Sequence, residues 1–170
     1  MLKLANQDSS DFKKELVKLC AEVGIVLVYT PHIKNSRAHG ATRWVNGCPL
    51  VQVSDYYKHY DIFWFSFFHE IGHILLHKKS DIFLEGMKYS ERNTDKEAEA
   101  DSFAAEYLIP KQIEKSLQEM KYSDSAVLAL SRRVQIHPAF LVGRMHYLKM
   151  IDHSIGNKFI PSVSFSMIPV

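Results

Sequence analysis

Residues 61–77, Asp-Ile-Phe-Trp-Phe-Ser-Phe-Phe-His-Glu-Ile-Gly-His-Ile-Leu-Leu-His, constrain the fold more than any other stretch of the chain. The segment is apolar on nearly every side of a 3.6-residue period, so it predicts a helix buried inside a domain rather than one laid on its surface. Asp61 suits its N-cap, and Lys78-Lys79 follow at the end that favours cations. The longest apolar stretch within it, residues 62–68, contains Ser66 and is far too short to span a bilayer. Whatever else the chain does, it must build a shell around this helix.

The remaining pattern supplies that shell as an α+β fold. Ser9, Ser10 or Asp11 can cap a first helix whose stripe is Phe12, Leu16, Leu19 or Cys20, and Val23, with Gly24 closing it. Residues 25–29 (IVLVY) read as a strand. Asn46-Gly47, between strand-like runs over 44–53, is a strong hairpin signal, weakened slightly by Pro49. A loop containing Gly86 follows the buried helix. Helical patterns then run over 95–108, stopping at Pro110, and over 111–120, 125–134 and 138–148; the tail after Gly156 reads as loop or strand. The expectation is a small antiparallel sheet packed on the buried helix over residues 1–122, with a helical C-terminal subdomain over 123–170 packed against it.

Composition narrows the function classes. At 170 residues, 46% hydrophobic and 24% charged, the chain matches an ordinary globular domain, which excludes disorder and collagen-like structure. The net charge is only +2, and the basic doublets Lys13-Lys14, Lys78-Lys79 and Arg132-Arg133 are scattered, without the footprint of a nucleic-acid binder. No signal-peptide core is present at the N-terminus, so a cytoplasmic protein with no membrane partner is expected. Cys20 and Cys48 form no C-x-x-C pair and are expected as small buried hydrophobes rather than zinc thiolates.

The nine histidines are the unusual part of the composition. His69 and His73, four apart, leave the same helix face one turn from each other, the reach needed to hold one zinc ion at about 2.0–2.1 Å from each nitrogen. Glu70 lies about 100° round the helix, beside that ion without becoming a ligand. The string HEIGH is an H-E-x-x-H motif, and two histidines and a glutamate on so apolar a helix would be costly to bury unpaired. A catalytic zinc needs a third protein ligand and an open position. Residues 97–105 offer it through Glu97, which shares a face with Asp101, or through Glu99, about 200° away and better suited to solvent or capping. Asp101 can accept a hydrogen bond from a ligand histidine, and His77, one turn beyond His73, is expected to support or pack beside the site. Gly72 reads as small because another backbone crosses there. His32, His39, His59, His137, His146 and His153 have no ligand spacing. An oxyanion stabiliser is expected, with Tyr107, His137 and other tyrosines all open candidates.

HEIGHILLH followed by E-x-E-A-D-x-F-A-A-E-x-L-I-P resembles the ImmA/IrrE family of zinc-dependent metallopeptidases, and the likeness, including GATRW at 40–44, runs over about residues 12–147. The resemblance implies a zincin-like fold, zinc held by His69, His73 and Glu97, and Glu70 as the catalytic base. Members of that family cut or control helix-turn-helix repressors, often from a polypeptide with an N-terminal DNA-binding domain, and the closest likeness is to HigA-type antitoxin regulators. This chain carries no such domain before Phe12, so direct nucleic-acid binding is not expected.

Two readings follow. In the first, a zinc metalloendopeptidase takes a protein or peptide substrate, such as a helix-turn-helix transcriptional regulator, as an added strand along residues 40–45. In the second, a regulatory or antitoxin module keeps zinc for structure and grips a partner protein without cutting it. Residues 127–150, broken at His137-Pro138, also have a helix-turn-helix pattern, but Arg132, Arg133, Arg144 and Lys149 are too few and too spread to read DNA.

Overall fold

The computed structural model describes residues 1–6, 12–31, 39–77 and 94–165. The expected caps Ser9, Ser10 and Asp11, together with His32, Lys78-Lys79 and the loop around Gly86, lie outside the described residues. The described elements are α1 (Leu2–Ala5), α2 (Phe12–Glu22), β1 (Val26–Thr30), β2 (Gly40–Val45), β3 (Cys48–Ser54), α3 (Tyr60–Leu76), α4 (Thr94–Leu108), α5 (Lys111–Gln118), α6 (Asp124–Val134), α7 (Pro138–Tyr147) and a 3₁₀ turn (Asn157–Phe159). This is an α+β fold. No described helix is long and apolar enough to cross a membrane.

Asn46 and Gly47 both take positive φ, 50° and 84°, the turn geometry that joins β2 to β3 without splaying them. The sheet is mixed rather than antiparallel. Its order is β1-β3-β2, with β2 antiparallel to β3 and β1 parallel to it, from Val26 opposite Leu50 to Thr30 opposite Ser54. The hairpin signal fixes only the β2–β3 pair. β3 carries Val51 and Val53, both fully buried, and so takes the centre, leaving β1 to add to its other edge in the direction the chain delivers it. Pro49 lies one residue ahead of the β1 pairing, at the start of the strand, where a missing N–H costs least. The same alternation that buries Val51 turns Cys48 outward. Cys20 is buried as expected, but Cys48 is exposed.

Gly40, Thr42 and Trp44 lie opposite Val53, Val51 and Pro49 in the register, so all six share the face covered by helices. On that face α3 buries Tyr60, Phe63, Trp64, Phe67, Phe68 and Ile71, each worth about 1.5–3 kcal/mol of transfer free energy. Helix α3 begins at Tyr60, with His59 rather than Asp61 as its N-cap. The reason is a backbone partner: Tyr60 N–H donates to the Pro161 carbonyl (3.0 Å), and Val163 N–H to that of Lys58 (2.9 Å). The C-terminal tail therefore satisfies the helix start, and no side-chain cap is needed.

Helix α4 runs antiparallel along α3. The approach is close because Gly72 has no side chain; a Cβ there would stand 3.2 Å from both Ala100 Cα and Phe103 Cδ1. Further along the chain, Val127 and Leu130 of α6 and Phe140, Leu141, Val142 and Met145 of α7 join the same hydrophobic cluster as α1–α3. Pro138 occupies the first turn of α7, as its fixed φ favours.

Candidate metal centre

With 3.6 residues per turn, a spacing of four brings His69 and His73 together on α3, and their Nε2 atoms lie 3.0 Å apart. The antiparallel α4 delivers Glu97 to the same point, with Oε2 3.4 Å from His69 Nε2 and Oε1 3.7 Å from His73 Nε2. Among the described residues, these three form the group of potential ligands whose atoms all lie within 4.8 Å of one another. Donors about 2.0–2.1 Å from a tetrahedral zinc stand about 3.3–3.4 Å apart, and the observed separations bracket that value. The donor set, two imidazoles and one carboxylate, also fits zinc. The histidine side chains are 16% and 14% exposed and Glu97 is 33% exposed, so the group is sunk in a groove but open on one side.

The outward nitrogens of both histidines are held. His69 Nδ1 donates to Asp101 Oδ1 at 2.8 Å. His73 Nδ1 lies 3.0 Å from His77 Nδ1, and His77 Nε2 lies 3.1 Å from Glu99 Oε2. One set of protons satisfies this run: His73 carries its proton on Nδ1 and donates to His77, which carries its own on Nε2 and donates to Glu99. Both Nε2 lone pairs then point at the same spot, the arrangement a metal requires. Spacing alone placed Glu99 toward solvent. Its carboxylate is indeed 60% exposed, yet it reaches back to His77, whose side chain is only 3% exposed.

Glu70 leaves α3 on another face and stays out of the ligand group. It is buried, and its carboxylate meets the inward face of β2, where Thr42 Oγ1 donates to Oε2 at 2.6 Å. The same hydroxyl lies 3.3 Å from the Glu70 carbonyl. Gly40 makes room for this carboxylate, since a Cβ there would fall 2.6 Å from Glu70 Oε1. The sequence marks this strand only as the GATRW run at 40–44 and assigns neither Gly40 nor Thr42 a role of its own. The available signal was the alternation of the hairpin, which turns 40, 42 and 44 to one face.

His39, just before β2, is another residue without a spacing argument. Its ring packs against Tyr56 and Tyr57, and its pKa is pushed down, first by burial and then by the neighbouring His69. Of the oxyanion candidates, His137 is engaged elsewhere: its Nδ1 accepts from Ala139 N–H as the N-cap of α7, and its ring lies against Tyr60. The ring of Tyr107 rests on Phe68 and Phe103. His146 is buried, with Nε2 2.8 Å from the Ile155 carbonyl.

A family model described as the IrrE N-terminal-like domain, Peptidase M78, matches residues 20–146. The match spans the sheet, α3, α4 and the helices that follow. No curated protein matches the chain.

Proposed function

The chain belongs to the IrrE N-terminal-like family, a metallopeptidase-type domain, and on that premise we propose that it is a zinc-dependent metalloendopeptidase. The observation that carries the proposal is the convergence of His69, His73 and Glu97, with Glu70 held apart from them by Thr42. A zinc ion held by those three residues would supply Lewis acidity, polarising a scissile carbonyl and making water a stronger acid. The chain's own residues do the rest. Glu70 takes the proton of the attacking water and passes it to the leaving amine. Thr42 fixes the carboxylate oxygen that is not handling the proton. Asp101, and His77 backed by Glu99, keep the two imidazoles in the tautomer that leaves Nε2 free for the metal.

The substrate in this reading is a protein segment that adds as a strand to β2, an edge strand whose inward face meets the general base. A helix-turn-helix regulator is the proposed class. The chain itself is not proposed to read DNA. Arg144 is occupied by Glu114 at 2.7 Å, which leaves Arg132 and Arg133 as the exposed arginines of the α6–α7 pair. The second reading, a zinc-holding regulatory module that grips without cutting, explains the ligands but gives no use for the buried Glu70 carboxylate that Thr42 holds.

The test incubates zinc-loaded protein with purified helix-turn-helix repressors. Zinc-dependent fragments are expected, reduced roughly a hundredfold or more in Glu70→Gln with the metal retained. Binding without cleavage would favour the regulatory module. Equal cleavage by Glu70→Gln would remove the proposed base.

A further inference from the structure

The α3–α4 seam that holds the candidate metal centre continues past it. Toward the start of α3 it opens into a cavity of about 490 Å³ bounded by α3, α4, α5 and α7, within the range of ligand pockets. The cavity is open to solvent on one side, so a ligand can enter it from the surface. Asp101 forms part of the wall, and it is the residue that holds His69 Nδ1 at 2.8 Å. The cavity therefore begins one hydrogen bond away from a proposed zinc ligand. Phe65, one turn before His69 on α3, forms the adjoining wall.

The wall chemistry selects the occupant. Phe65, Ala105, Leu108, Ile109, Phe140 and Tyr147 supply an apolar lining. Both cations at the rim are already matched, Arg144 by Glu114 at 2.7 Å and Lys111 by Glu106 at 3.3 Å, which leaves no lining cation for an acidic residue. We propose that this cavity is the specificity pocket of the peptidase and takes a bulky apolar side chain, aromatic or long aliphatic, flanking the bond to be cut. The assignment rests on the metallopeptidase reading above. Asp61 also lines the cavity, and a lysine-bearing compound separates recognition by that carboxylate from recognition by the apolar wall.

Hydroxamates test pocket and metal separately, because the hydroxamate group chelates zinc whatever side chain it carries. Affinities are measured by calorimetry on the zinc-loaded full chain for acetohydroxamate and for the hydroxamates of N-acetyl-alanine, -phenylalanine, -leucine, -lysine and -aspartate. The phenylalanine and leucine compounds should bind at least about tenfold tighter than the alanine one, with no such gain for lysine or aspartate. In Ala105→Trp, which fills the cavity, the phenylalanine-to-alanine ratio should fall to near one. In the wild-type chain the methyl resonances of Ala105 and Leu108 should move with the phenylalanine compound and not with acetohydroxamate, a readout that does not depend on how the variant folds. Equal affinity for the phenylalanine and alanine compounds, or tightest binding of lysine, overturns the pocket while leaving the metal centre standing. Failure of acetohydroxamate to bind overturns the metallopeptidase reading and the pocket with it.

Discussion

Thr42 Oγ1 donates a hydrogen bond to Glu70 Oε2 across 2.6 Å, from the inward face of the edge strand to the helix that carries the histidine pair. Two elements separated in sequence thus meet at the proposed general base. Thr42→Val keeps the shape and removes the donor. It should lower kcat roughly tenfold with little change in KM, since a hydrogen bond to a charged group is worth about 1.5–3 kcal/mol. Thr42→Ser should restore most of the rate. Steady-state kinetics on a cleaved peptide measure both, and an unchanged kcat in Thr42→Val would remove Thr42 from the mechanism.

The Glu99–His77–His73 run is expected to act through the metal rather than on substrate. Glu99→Gln and His77→Phe should each weaken zinc binding by about 10–100-fold in a chelator competition, the usual cost of losing a group that orients a ligand. Nitrogen NMR of the zinc-loaded chain should find the His73 proton on Nδ1 and the His77 proton on Nε2. The opposite tautomer at His73 would break the proposed run.

Much of this site was legible because helical periodicity is a local property. His69, Glu70 and His73 follow from one turn of α3, and the choice of Glu97 over Glu99 follows from the face that Glu97 shares with Asp101. Gly72 was legible for the same reason: a glycine in a buried apolar helix marks a close neighbour. What was hidden depends on chain paths. Nothing in residues 25–30 says that β1 joins the far side of β3 in the parallel sense, so the sheet was misjudged as antiparallel. Asp61 was read as the cap because the Pro161 carbonyl, a hundred residues away, does not appear in any local window. Thr42 and His39 gain their meaning only from the helix packed against them.

Gly72→Ala probes the approach of α4 to α3. A methyl 3.2 Å from Ala100 Cα must push backbone rather than a flexible side chain. A destabilisation of about 1–3 kcal/mol is expected, read as a lower Tm. Zinc affinity should fall as well, because α4 carries Glu97. Full affinity together with an unchanged Tm would show that the helices can part without consequence.

Burial pushes the Asp61 carboxyl above its ordinary pKa. A carboxyl raised in the folded state contributes stability below its unfolded pKa and loses that contribution as pH rises through the folded value. Above the unfolded pKa, deprotonation therefore favours the unfolded chain, and at neutral pH this carboxyl costs the fold stability. Asp61→Asn should be more stable than wild type near pH 7, with the difference shrinking below about pH 4. Denaturant titrations across that range measure it; a variant less stable at pH 7 by an amount that does not change with pH would contradict the burial argument.

The most direct measurement is the zinc content of the purified chain and of its ligand variants. One zinc per chain is expected in the wild type and in Glu70→Gln, with little or none in the His69→Ala, His73→Ala double variant and strongly weakened retention in Glu97→Ala. Full zinc in the double variant would contradict the site, and with it the function built on His69, His73 and Glu97.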